Sequence, residues 1–263
     1  MMEIPLGTAM NGFDTFILVL VRMSGIFVIS PIFGRRNVPA YFKIGFAFFL
    51  ALILVNTTAV SIPEYGESIY GYALIVIKEF IVGLTIGYIS YMVFSAIFIA
   101  GQLIDMQIGF GMVNVLDPMS NIQLPVTANF YYIVALLFFL QLGGHHMMIK
   151  SLFDSYKFIP IGEAVFGSTL QGGIISLFTG TFVTALKISA PVIAAVFIVD
   201  VSLGVMAKTI PQMNVFVVGM PLKILVGLLV VYFTIPVFIN IVEGLVSMMD
   251  TQMLKFIEGM GLK

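Results

Sequence analysis

Apolar residues run along this chain in long blocks, at 13–33, 41–59, 80–100, 126–142, 174–199 and 215–241. The hydrocarbon layer of a bilayer is about 30 Å thick and takes roughly 20 apolar residues at about 1.5 Å of helical rise each. All six blocks reach or approach that length. The pattern predicts an all-α polytopic membrane protein of apolar helical hairpins, with about six membrane-embedded segments in a single membrane domain over residues 1–263. Apolar character also extends upstream of the third block from Ile69, but Lys78 and Glu79 interrupt it. The third span is therefore expected to begin at Phe80, with 69–79 helical but wetted. Proline and glycine mark the breaks: Pro31, Gly34 and Pro39, then Pro63 and Gly66, then Pro118 and Pro125, then Gly143 and Gly144. No internal repeat of the kind found in secondary transporters is evident.

Composition changes this picture only by sharpening it. Hydrophobic residues make up 60% of the chain and charged residues 10%, against about 25% charged in a soluble domain, and the mean hydropathy is +1.12. A net charge of −1 without a Lys/Arg cluster lacks the electrostatic footprint needed to grip phosphate backbones, so nucleic acid is not an expected partner. The absence of cysteine excludes disulfides, thiolate metal sites and cysteine nucleophiles. Glu3 stands where a signal peptide carries a basic region, and no Ala-x-Ala cleavage site follows, so the first apolar segment is expected to be retained.

Charges inside the apolar blocks are the natural candidates for function. Arg22 lies near the middle of the first, where facing lipid would cost at least about 2.5 kcal/mol. Two readings fit: an ion pair or carbonyl contact inside the bundle, or a wall residue of a transport path. Lys187 poses the same question, as a buried charge or a pore wall residue. Asp200 and Lys223 sit nearer block ends and are expected to snorkel. Gly83 and Gly87 form a small-xxx-small face that predicts close helix packing. His145 and His146 are adjacent, so on a helix they point about 100° apart, unlike the i, i+4 pair of a zinc helix. No metal, cofactor or catalytic signature is expected, since His-Glu-x-x-His, Gly-x-Ser-x-Gly and the phosphate-binding glycine loop are all missing.

The connection from Gly101 to Pro125 is as long as a span but reads as neither a span nor a solvated loop. Gly109, Gly111 and the Asp117-Pro118 pair break helix, and Asp105 and Asp117 are its only charges. Irregular apolar backbone at a membrane must be buried in protein or line a cavity. Phe110 carries a bulky ring between two permissive glycines, while Met106, Met112 and Met119 can fill irregular shapes. Ordinary interfacial packing and a mobile apolar plug both fit these residues.

Several segments together resemble the flagellar FliR family, whose type III secretion relatives occupy the same place in virulence injectisomes. They are Arg22-Met-Ser-Gly-Ile-Phe with Pro31-Ile-Phe-Gly34 and Pro39; Gly101-Gln-Leu-Ile-Asp through Asp117-Pro118; and Asp200-Val-Ser-Leu-Gly-Val-Met-Ala-Lys208 through Pro211-Gln-Met-Asn-Val-Phe-Val-Val-Gly-Met-Pro-Leu-Lys223. The resemblance implies an export gate in which the chain joins FliP and FliQ, near FlhB and FlhA, to conduct unfolded flagellar subunits across the cytoplasmic membrane at the basal body. It implies no chemistry on the cargo. It also implies a plug at about 106–122, with Met106, Gly109, Phe110, Gly111, Met112, Asp117, Pro118 and Met119 as its gating residues. The flagellar over the injectisome reading rests on Phe216-Val-Val-Gly-Met-Pro-Leu.

Two other classes compete. A small-molecule secondary transporter would carry paired broken helices around midplane ionisable groups, and a helical scaffold would have no conduit of its own. Orientation follows from Arg35, Arg36 and Lys43, the densest basic group in any connection, which places the first one in the cytoplasm. Glu64 and Glu67, with no Lys or Arg beside them, suit the other side, whereas Lys150 and Lys157 work against strict alternation. An even number of spans puts both termini outside. Because the chain has no cysteine, Arg35→Cys is expected to stay unlabelled by an impermeant thiol reagent added outside intact spheroplasts; labelling there would invert the topology.

Overall fold

A computed structural model describes residues 6–35, 37–57, 69–112, 125–212 and 214–261. Among them the chain forms α1 (Leu6–Ile29), α2 (Ala40–Thr57), α3 (Ile69–Ile108), a 3-10 turn (Phe110–Met112), α4 (Val126–Gln141), α5 (Gly144–Phe158), α6 (Ser168–Thr209) and α7 (Val215–Gly261). No strand occurs among the described residues. A helix satisfies its backbone polar groups within itself, which apolar surroundings demand. Five of these helices are long and apolar enough to cross a membrane, or six if α4 and α5 count as one broken span. That break falls at Gly143, whose φ of +72° is open to glycine and costly for other residues.

Helix α3 differs from expectation at its start. It is one helix of 40 residues from Ile69, and Glu79, expected to be wetted, is completely buried. The carboxylate breaks no span because its charge is matched inside the protein.

The chain packs as two compact units, the first made of residues 1–92, 143–177 and 247–263 and the second of 93–142 and 178–246. In the first unit α1 lies backbone to backbone against α3. A Cβ added at Gly83 would overlap the carbonyl oxygen of Arg22, one at Gly25 would lie 2.6 Å from the Leu84 nitrogen, and one at Gly87 would lie 3.2 Å from the Cα of Ile26. Leu18, Val19, Met23, Val82, Ile86 and Ile89 are fully buried around this seam. Phenylalanines tie α2 to it, with Phe16 edge-on to Phe48 and Phe27 edge-on to Phe46. The C-terminal end of α7 also belongs here: Met253, Ile257 and Met260 are fully buried, and the Val165 N–H donates to the Met260 carbonyl at 2.9 Å.

The second unit gathers the end of α3, all of α4 and most of α6 and α7. A Cβ on Gly101 would overlap the backbone of Ala128, so α3 and α4 also meet at backbone distance. Phe94 packs edge-on against the buried Phe139, and Tyr131 stacks on Phe238 at 4.4 Å. Helices α6 and α7 run antiparallel here, with Val196 beside Gly227, Asp200 beside Lys223 and Leu203 beside Gly219.

The α1–α3 seam leaves no volume for a larger residue. Gly83→Val is expected to lower the yield of monodisperse, detergent-extracted protein severalfold and to depress its melting temperature, because overpacking costs about 1–3 kcal/mol or more. Gly45→Ala, where an added Cβ meets nothing within 4 Å, serves as the control. Equal melting of the two variants would show that the seam can open freely.

Candidate functional site

Arg22 is enclosed in the first unit by α1, α3 and α5. Its Nε donates to Glu79 Oε2 at 2.7 Å and its Nη2 to Glu79 Oε1 at 3.0 Å, a two-point pairing with neither side chain exposed. Its Nη1 donates to the Ser155 hydroxyl and to the Ile159 carbonyl, each at 3.1 Å. The guanidinium carbon lies 3.8 Å from the centre of the Tyr156 ring, over its negative face. Glu79 is matched in turn, since its Oε1 also accepts the Gly162 N–H at 2.9 Å, while Lys78 donates to the Gly162 carbonyl at 3.0 Å. Gly162 has φ +77°, so the turn that offers both groups suits glycine.

The sequence offers a signal for this pairing. Glu79, Gly83 and Gly87 are four residues apart and share one face of α3, and that is the face on which α1 lies. A carboxylate on the close-packed stripe faces protein, not water. Lys187 is placed differently. It is exposed on α6, so of the two charges grouped in the sequence only Arg22 is enclosed by this chain.

The second unit contains the start of the connection expected to gate. Asp105, one turn after Gly101, is buried and accepts the backbone N–H groups of Thr127 at 2.9 Å and Ala128 at 3.3 Å. Pro125, the residue before α4, has no side-chain cap, so a carboxylate from α3 satisfies the first turn of α4 across the connection. Three residues on, Ile108 is fully buried and α3 stops. Gly109 then takes φ +100°, and Phe110 opens the 3-10 turn half-buried. Met106 points away from this anchor with 74% of its surface exposed, and Gly111 is exposed. Asp117, Pro118 and Met119 lie outside the described residues, as does the side chain of Met112.

Beside Gly109 is a cavity of about 320 Å³, walled by Ile108, Leu203, Phe216, Gly219 and the charged pair Asp200 and Lys223. Asp200 and Lys223 were expected to snorkel, with their partners left open. They pair with each other, each about one-third exposed, and Gln107 donates to Asp200 at 3.5 Å. Helix antiparallelism places them level, so each neutralises the other. The capping role of Asp105 escaped sequence reasoning; its place one turn after Gly101, with Pro125 opening α4, was the available clue. Among the described residues no cluster of His, Cys, Asp and Glu could hold a metal ion, and the site contains polar anchors and apolar surface without a nucleophile beside a base.

The Arg22–Glu79 pair makes a specific demand on stability. Removing one partner of a buried ion pair strands the other and costs about 3–5 kcal/mol, whereas replacing both by apolar residues costs far less. Glu79→Gln and Arg22→Met are each expected to reduce the folded protein recovered from membranes sharply, and the Arg22→Met/Glu79→Leu double variant to recover much of it. Singles and double that all melt as wild type would show the pair to be dispensable.

The chain resembles known proteins along most of its length. Residues 13–249 match the family model for bacterial export proteins, family 1. The chain is 42% identical to the flagellar biosynthetic protein FliR of Bacillus subtilis (strain 168) over 239 residues, covering 90% of this chain and 92% of that protein. It is 30% identical to FliR of Aquifex aeolicus (strain VF5), covering 84% of this chain and 85% of that protein. With FliR of Escherichia coli (strain K12) it shares 27% identity, covering 87% of each. A helical membrane chain matched over nearly its whole length in this way belongs to family 1 of the bacterial export proteins, the family of the flagellar biosynthetic proteins FliR.

Proposed function

We propose that the chain is a subunit of the flagellar type III export gate in the bacterial cytoplasmic membrane at the basal body. It assembles there with FliP-like and FliQ-like subunits, near FlhB-like and FlhA-like components, as a single membrane-embedded domain. The assembly conducts unfolded flagellar subunits, and the chain performs no chemistry on them. The flagellar reading is preferred to an injectisome because the relatives named above are flagellar biosynthetic proteins. The transporter reading has no support from paired ionisable groups converging on one closed site, since Arg22 is fully engaged in structural bonds.

The observation that carries the gating part of this proposal is the end of α3. A buried carboxylate fixes the helix to α4, and within four residues the backbone passes into a glycine with positive φ, followed by a bulky ring and a second glycine, and among the described residues nothing would meet a Cβ at either glycine. A firm anchor next to a permissive hinge lets Phe110 move while α3 stays in place. A conduit wide enough for an unfolded chain leaks ions unless an apolar constriction excludes water. Phe and Met side chains seal by filling space without holding cargo tightly.

Deleting residues 109–116 is expected to raise the ion permeability of membranes containing the assembled gate, and Phe110→Ala to raise it less. Single-channel recording or flux from vesicles reads the effect. A correctly assembled gate without that segment that stays as ion-tight as wild type would reduce the segment to packing.

A further inference from the structure

Lys187 carries a charge that the described residues leave unmatched. It is the one charge in the apolar stretch 174–199 and sits at its centre, 12 or 13 residues from either end. At about 1.5 Å per residue that is about 18 Å or more of apolar helix in each direction. A lysine stem reaches only about a third of that distance, so snorkelling does not bring the ammonium to water. Lys187 is exposed on α6, with no ion pair or hydrogen bond among the described residues.

The described carboxylates of its own unit do not answer it. Asp105 holds the first turn of α4, and Asp200 pairs with Lys223. The antiparallel register that sets Asp200 beside Lys223 and Val196 beside Gly227 puts Lys187 level with Pro236, and Glu243 about 10 Å further along α7.

The same turn has a second unmet polar group. Pro191 lies inside α6, four residues after Lys187, and having no N–H it cannot donate to the Lys187 carbonyl. An unpaired ammonium and a carbonyl lacking its helical donor thus coincide halfway along an apolar helix.

Around this spot the exposed surface is apolar: Phe182, Val183 and Leu186 precede Lys187, and Ala190 and Ala194 follow it. A wall bathed in water would wet all of these for the sake of one charge. Lipid would solvate them but leave the ammonium bare, at a cost of at least about 2.5 kcal/mol. A protein helix with one acidic side chain satisfies both.

We propose that this face of α6 is an interface for a membrane-embedded helix of another subunit, whose Asp or Glu pairs with Lys187 near the middle of the apolar layer. The inference rests on the export-gate reading in one respect, that the chain works in a multi-subunit membrane assembly. It adds where a partner sits and which chemistry locks it there.

A hydrophobic carbodiimide tests the contact directly. Dicyclohexylcarbodiimide is added to native membranes containing the intact assembly. The paired carboxylic acid adds across the reagent, its proton going to nitrogen; the neutral Lys187 amine then attacks the activated carbonyl, forming an amide and releasing dicyclohexylurea. Mass spectrometry of the digested product is expected to find Lys187 Nζ joined to an Asp or Glu of a different chain. In parallel, Lys187→Met is expected to cut recovery of the assembly about tenfold or more, since it strands the partner carboxylate, and Lys187→Arg to preserve it. Without a cross-link at Lys187, and with Lys187→Met assembling at wild-type yield, the interface is refuted while the export-gate reading stands. Reaction of Lys187→Cys in the intact assembly with an impermeant aqueous thiol reagent would likewise refute it, making the face a wetted wall. Purification of the wild-type chain from native membranes without any other membrane protein would overturn both readings.

Discussion

A guanidinium placed among apolar helices has to be neutralised where it stands, and much of the first unit follows from that requirement. Arg22 meets it with a carboxylate from α3, a hydroxyl from α5, a carbonyl just beyond α5 and an aromatic face. Each of those groups fixes the position of the element that carries it. In lipid the hydrophobic effect does not distinguish one helix pairing from another, since an acyl chain is as apolar as leucine. Polar matching does distinguish them, because an alternative arrangement leaves a bare charge. The glycines at the α1–α3 seam are the steric counterpart: Glu79 can reach Arg22 over two contacts because no Cβ holds the helices apart.

A small residue and a carboxylate one turn apart recur at the end of α3, in the opposite order. Glu79 and Gly83 are four residues apart, and so are Gly101 and Asp105. In both places the glycine brings two backbones together and the acid satisfies donors exposed by that approach, a guanidinium in one case and the free N–H groups of a helix start in the other. Rigid polar anchors thereby bracket apolar helices whose outward faces are large and open, as Ile175, Phe178, Val205, Tyr232 and Phe233 are. Such faces suit the apolar surroundings of a membrane protein.

The sequence by itself determined the fold class, the apolar blocks and the family. Those depend on local composition, on length matched to a bilayer and on the wording of a few segments, all of which survive without knowledge of contacts. It also singled out Arg22, because a charge in an apolar block is anomalous wherever the helix lies, and Gly83 with Gly87, because a small-residue stripe has helical periodicity. Tertiary structure alone decided what each of these faces. Glu79 looked like a span boundary because hydropathy scores a charge as exposed, whereas pairing removes most of that penalty. The pairing of Asp200 with Lys223 was not legible because their 23-residue separation conceals an antiparallel hairpin that sets them level. Asp105 offered only its place one turn after Gly101 as a clue, since a cap supplied across a connection depends on how α3 and α4 meet. Local pattern fixes which residues are apolar and helical; the partner of a charge depends on three-dimensional register, which no single block encodes.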